Sequence, residues 1–132
     1  MSAITVGVVD ETSARKVVNQ FTLRLASERV TARELVRNRI RAEVDAFNAS
    51  SAEIYCGLVQ PTDTERALNG YRLKRRVPID WKAQARRAEE AFEQNGFLLF
   101  VDDEQIDSLD APLTVRPGAR LTFLKLVPLV GG

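Results

Sequence analysis

Two alternating apolar runs stand directly ahead of a capped amphipathic helix, and that order commits the start of the chain to a hairpin lying against one helix. Ile4, Val6 and Val8 alternate with Thr5 and Gly7, and Phe21, Leu23 and Leu25 alternate with Thr22 and Arg24. This period of two belongs to strands with one buried face. Asp10, Glu11, Thr12 and Ser13 supply turn-forming side chains between the runs, and Val17 and Val18 extend the second one. Thr31 with Glu34 three positions on forms a capping box, after which Leu35, Val36, Ile40, Val44 and Phe47 return at helical spacing. The opposite face carries Arg33, Arg37, Arg41 and Asp45 and is expected to be solvated, with Arg41 and Asp45 one turn apart. Strands packed on such a helix predict the α+β class.

The remainder is less regular until its second half. Residues 48 to 79 contain Ser50, Ser51, Pro61, Asp63, Asn69, Gly70 and Pro78 around one strand-like run, Ile54 to Val59, so turns and short elements are expected. Asp80 is placed to cap a second helix that runs to about Asn95, with Trp81, Ala85, Ala88, Ala91 and Phe92 as its apolar face and Gly96 as its stop. Phe97 to Val101 reads as a strand, Asp102 and Asp103 as a turn, and Ile106 and Leu109 as pins that hold the following loop to the core. After Pro117 and Gly118, a last strand alternates Leu121, Phe123 and Lys125 with Thr122, Leu124 and Leu126. Both of its faces are largely apolar, so one meets the core and the other needs cover or a partner. Pro128 has no amide donor and ends the pairing, which makes residues 128 to 132 a flexible tail.

Composition narrows the function classes. A chain of 132 residues fits one domain, 1 to 132, and no apolar run approaches the roughly 20 residues that span a bilayer. The N-terminus lacks the pattern of a secretion signal, and a single cysteine, Cys56, fits a reducing cytoplasm. There is no histidine, which removes the usual general base and a common metal ligand. No paired nucleophile and base and no phosphate loop are present, so the chain does not read as an enzyme. The net charge of +1 argues against a dedicated nucleic-acid binder, although charge is segregated along the chain. Arg72, Lys74, Arg75, Arg76, Lys82, Arg86 and Arg87 are followed by Glu89, Glu90, Glu93, Asp102, Asp103, Glu104, Asp107 and Asp110. Such asymmetry either orients a protein partner or self-association, or is a solvated surface.

Hairpin, helix, strand, turn-rich segment and final strand, ending in LVPLVGG, resemble the ubiquitin-like beta-grasp family. That family includes prokaryotic ubiquitin-like modifiers and the sulfur carriers of molybdopterin and thiamine synthesis. The resemblance covers residues 3 to 47 and 96 to 132, it implies a mixed sheet packed on the amphipathic helix, and it makes residues 48 to 95 a helical insertion before the third strand. It implies that Gly132 provides the carboxylate that an activating enzyme adenylates, with Gly131 as the narrow approach to it. Glycine lacks a β carbon and passes close to enzyme backbone. ATP and magnesium belong to that enzyme, so no cofactor or metal is expected on this chain. Val127, Pro128, Leu129 and Val130 become the tail-recognition segment, read through apolar contacts because it carries no charge. The further partners implied are a conjugating enzyme, a deconjugating protease and a target protein, in a cytoplasmic and bacterial setting, with no membrane. By analogy with ubiquitin's apolar patch, Leu121 and Phe123, with Leu25 beside them, are expected on the exposed sheet face.

Three functions remain open at this level: a conjugated modifier, a sulfur carrier working through a thiocarboxylate, and a ubiquitin-fold binding domain without terminal chemistry. Among the other residues, Cys56 reads as packed, and Lys16, Lys74, Lys82 and Lys125 are the acceptors available for chain formation. Tyr71 and Trp81 beside the basic run offer a weak nucleic-acid signal. The acidic set from Asp102 to Asp110 does not follow a calcium-loop order and reads as strand ends and turns.

Overall fold

The computed structural model describes residues 3–67, 70–75 and 77–126. The chain runs β1 (Ile4–Thr12), β2 (Val17–Leu25), β3 (Arg29–Thr31), α1 (Ala32–Asn48), β4 (Ile54–Tyr55), β5 (Thr64–Ala67), β6 (Gly70–Leu73), α2 (Trp81–Glu93), β7 (Phe97–Val101), β8 (Glu104–Ile106), β9 (Pro112–Thr114) and β10 (Arg120–Lys125). The fold is α+β, with a mixed sheet and two helices.

The main sheet has the order β2-β1-β10-β7-β8. Its pairs are antiparallel except β1 with β10, which run parallel with Val8 opposite Leu121 and Asp10 opposite Phe123. A parallel pair cannot be closed by a hairpin and needs a crossover. Here everything from β2 to β9 makes that crossover, and the last strand enters the middle of the sheet. The hairpin turns later than its residues suggest, at 13 to 16, because Asp10, Glu11 and Thr12 still belong to β1; β2 begins at Val17 with a register shift opposite Asp10 and Glu11.

Both helices start where the sequence places them. The Thr31 hydroxyl accepts from the Glu34 amide at 3.2 Å, and an Asp80 carboxylate oxygen accepts from the Lys82 amide at 3.1 Å. At the end of α2, Asn95 and not Gly96 takes the left-handed conformation, with φ 58°. The Gly96 amide then donates to Ala91 O at 2.7 Å and the Asn95 amide to Phe92 O at 3.1 Å, which closes the last turn.

Leu35, Val36, Ile40 and Val44 of α1 pack on Val6, Val8, Leu23, Leu25, Leu99, Leu121 and Phe123 of the sheet. An aromatic chain from Phe92 through Phe97 to Phe123, with ring centres 5.9 and 5.8 Å apart, carries the core from α2 into the sheet. α2 itself lies mainly against α1. The turn-rich stretch after α1 forms a small antiparallel sheet, β4-β6-β5, while β3 and β9 pair as a separate short ladder. The stretch after Asp103 is not simply a loop, because Glu104–Ile106 adds β8 as an edge strand. Asp102 and Asp103, both with positive φ, make the two-residue turn that leads to it.

Candidate functional site

The tail residues Val127, Pro128, Leu129, Val130, Gly131 and Gly132 lie outside the described residues. The point at which they join the fold is described. β10 ends at Lys125, which pairs with Thr12 of β1 and Phe97 of β7, and the Leu126 amide donates to Gly96 O at 3.2 Å. Leu126 is exposed. The Lys125 ammonium donates to Gly57 O at 3.1 Å, so the root of the tail is tied to the loop after β4. Burial pushes the pKa of this amine down.

The expected partner surface is corrected by the register of β10. Leu25, Leu121 and Phe123 are 1, 0 and 0 % exposed and belong to the core, so they present no surface. Side chains alternate strictly along a strand, and shifting the phase by one residue exchanges its two faces. With Leu121 and Phe123 turned towards α1, Thr122 and Leu124 fall on the opposite face. Cross-strand pairing puts Val9, Leu98 and Phe100 beside them. Val9 and Leu124 lie outside the core cluster but are themselves buried, and Leu98 and Phe100 are half-buried. At the edge of this face, Glu11 pairs with Arg15 at 2.7 Å and stands 3.8 Å from Arg120.

A buried polar group that the sequence reading did not anticipate sits beneath the root of the tail. Arg39 of α1 is fully buried and grips Asp10 of β1 with both terminal nitrogens, at 2.5 and 2.6 Å. Its Nε and Nη2 also donate to Glu43 at 3.0 Å. The guanidinium carbon lies 4.5 Å from the ring centre of Phe123 and 5.2 Å from that of Phe21, a sandwich suited to a planar cation. The second Glu43 oxygen accepts from the Tyr55 hydroxyl at 3.3 Å and the Leu58 amide at 3.4 Å. Desolvation raises the Glu43 pKa against the pull of Arg39, and desolvation also raises that of Tyr55, with the Glu43 charge adding to it. Burial works against the Arg39 cation, but the two carboxylates outweigh it and raise its pKa. The signal for this group is present in the patterns: Asp10 continues the inward phase of Ile4, Val6 and Val8, and Arg39 lies in the apolar stripe of α1.

The second face of α1 is corrected in part. Arg37, Arg41 and Asp45 are exposed as expected, but the face also meets α2: Arg33 and Arg37 donate to the two oxygens of Glu89 at 2.6 and 2.7 Å, and the guanidinium of Arg41 lies 4.9 Å from the Trp81 ring centre. Arg41 and Asp45 do approach, at 3.7 Å. Arg33 also binds Asp110 at 2.8 Å, and its hydrogen bonds hold the Asp110 carboxyl below its usual range.

Other candidate residues fall in varied settings. Cys56 is exposed where packing was expected, because Tyr55 takes the inward position of β4 and the next side chain points away. Lys16, Lys74 and Lys82 are exposed, unlike Lys125. Trp81 sits beneath Arg41 and Tyr71 is half-buried against the core, so neither ring is presented openly beside Lys74 and Arg75; Arg76 lies outside the described residues. Asp102 serves the β7–β8 turn and accepts from the Arg120 amide at 2.9 Å. Among the described residues no group of three potential ligands is placed to hold a metal ion, and no helix is long and apolar enough to cross a membrane.

No family model, curated protein or solved structure matches the chain.

Proposed function

We propose that this protein is a ubiquitin-like modifier of the beta-grasp type. In this reading an activating enzyme adenylates the carboxylate of Gly132 with ATP and releases pyrophosphate, and a nucleophile on a target protein then displaces AMP to form the acyl linkage. The observation that carries the reading is the strand order β2-β1-β10-β7-β8, with β10 parallel to β1 and α1 packed across one face. A beta-grasp has that order, and it sends the chain out from the end of a central strand. The chain is the substrate of such chemistry, and the catalytic groups reside on its partners.

The tail Val127 to Val130 would enter the enzyme's channel through apolar contacts, and residues 48 to 95 would be an insertion particular to this chain. The sheet face opposite α1, where Leu98 and Phe100 are half-buried, replaces Leu25, Leu121 and Phe123 as the surface offered to the activating enzyme, conjugating enzyme or protease.

Mass spectrometry of the protein recovered from its native cell tests the proposal, covering its C-terminus and any peptides joined to it. Acyl linkage of Gly132 to target peptides is the expected result. A thiocarboxylate without conjugates would replace the modifier by a sulfur carrier, a reading that the uncharged VPLVGG segment also suits. Full biological function after deletion of Gly131 and Gly132 would overturn both and leave a binding domain.

A further inference from the structure

The charges on α2 run against its own dipole. A helix is stabilised by acidic residues in its first turn and basic ones in its last. α2 has no acidic residue in the first turn and no basic residue in the last. Lys82 and Arg86 occupy the N-terminal half and Glu90 and Glu93 the C-terminal half, all four exposed. At about 100° per residue they fall within an arc of about 80°, which begins about 20° from Glu89, the residue that faces α1. Among the described residues none of these four side chains makes a hydrogen bond or ion pair. By contrast, Glu89, on the buried side of the same helix, is fully used by Arg33 and Arg37.

The polarity continues past both ends of the helix. At its N-terminal end lie Arg75 and Val77, which is the most exposed large apolar side chain of the described residues at 53 %. At its C-terminal end is an open groove of about 420 Å³, floored by Phe97, Leu98 and Ile106 and rimmed by Glu93, Asp107 and Asp110, the last already paired with Arg33, which also lines the groove. One end thus presents an exposed apolar side chain near Arg75 and Arg87, with Asp63 and Asp80 also at hand, and the other an apolar floor with an excess of carboxylates.

We propose that α2 is the seam of a twofold symmetric dimer in which the helices of two copies lie antiparallel. Lys82 and Arg86 of each copy then face Glu93 and Glu90 of the second, and Val77 of each enters the acid-rimmed groove of the other. The arrangement is self-complementary, as a twofold interface must be. It also brings the carboxylates of the second copy to the N-terminus of each helix, where they add to the Asp80 cap and offset Lys82. Surface ion pairs contribute little individually, so the association is weak and salt-dependent. It does not depend on how the tail is used.

Sedimentation equilibrium of the full chain at about 20 mM and about 500 mM salt tests this. The expected result is a reversible dimer at low salt whose dissociation constant rises about tenfold or more at high salt. The variant K82E/R86E has an all-acidic stripe and E90K/E93K an all-basic one. Each alone should be monomeric at low salt, while their equimolar mixture should form a heterodimer tighter than the parent dimer. Val77→Ser should weaken the parent dimer at both salt concentrations, with unchanged circular dichroism showing that the fold is intact. A parent that stays monomeric at millimolar concentration in low salt overturns the proposal, as does a mixture of the two charge variants that does not associate.

Discussion

The sheet with α1 and the segment from β4 to α2 are held by different physics. The first is built on apolar alternation, closed around one buried guanidinium that is saturated by two carboxylates. The second shares part of that core through Tyr55, Leu58, Ala85, Ala88 and Phe92. Much of its border, however, is fastened by polar groups: Glu89 between Arg33 and Arg37, Asn48 with the backbone of Ile79, and Gln84 Nε2 with Val59 O at 2.8 Å. Apolar burial is roughly proportional to area and indifferent to exact angles, whereas the polar border holds only in one geometry. The two regions should therefore fail differently, the sheet globally and the segment locally.

Arg39→Met is the most severe challenge to this contrast. It leaves Asp10 and Glu43 buried without their cation and should cost about 3–5 kcal/mol in urea denaturation. Replacing both carboxylates by their amides in the same chain should recover part of that loss. Glu89→Gln attacks the border instead and should cost about 1–2 kcal/mol. Hydrogen exchange should then accelerate in α2 and the β4-β6-β5 sheet while β1 and β10 keep their protection; equal acceleration in both would show that the two regions are one cooperative unit.

Tyr55→Phe removes one hydrogen bond between the regions and should cost about 1 kcal/mol. The smallest effects are those of pH. The Glu43 pKa is raised, so the folded state holds a proton that the unfolded chain has released, and stability falls as pH rises from the ordinary carboxylate range through the folded value. Glu43→Gln should abolish that slope. Lys125 is shifted the other way, so the unfolded chain binds the extra proton and stability rises with pH as the ordinary value of 10.5 is approached from below. Lys125→Met should flatten this alkaline limb; a slope unchanged by the substitution would assign it to another group.

Much of the architecture was legible wherever one local pattern suffices. The β1–β2 hairpin, the Thr31 and Asp80 caps, the Phe97–Val101 strand and the Asp102–Asp103 turn each depend on side chains a few residues apart. The short strands β3, β8 and β9 were missed because three residues carry no measurable periodicity. The face of β10 was misread for a related reason. Leu121, Phe123, Leu124 and Leu126 make both phases apolar, so alternation within the strand contains no information about which side is buried. On the polar face of α1 the clamp on Glu89 was missed, because arginines that hold a second helix and arginines in water have the same spacing.

The sequence alone determined the element types and the helix starts, because propensity, capping and alternation act over one or two turns of chain. It also carried the ingredients of the buried cluster, as an acid and a base standing in apolar phase at Asp10 and Arg39. Tertiary structure decided the parallel insertion of β10 beside β1, the side to which Phe123 turns, and the closure of Arg39 between two rings and two carboxylates. Those outcomes depend on groups far apart in the chain meeting in one place, where the cost of burying a charge is set by every neighbour at once.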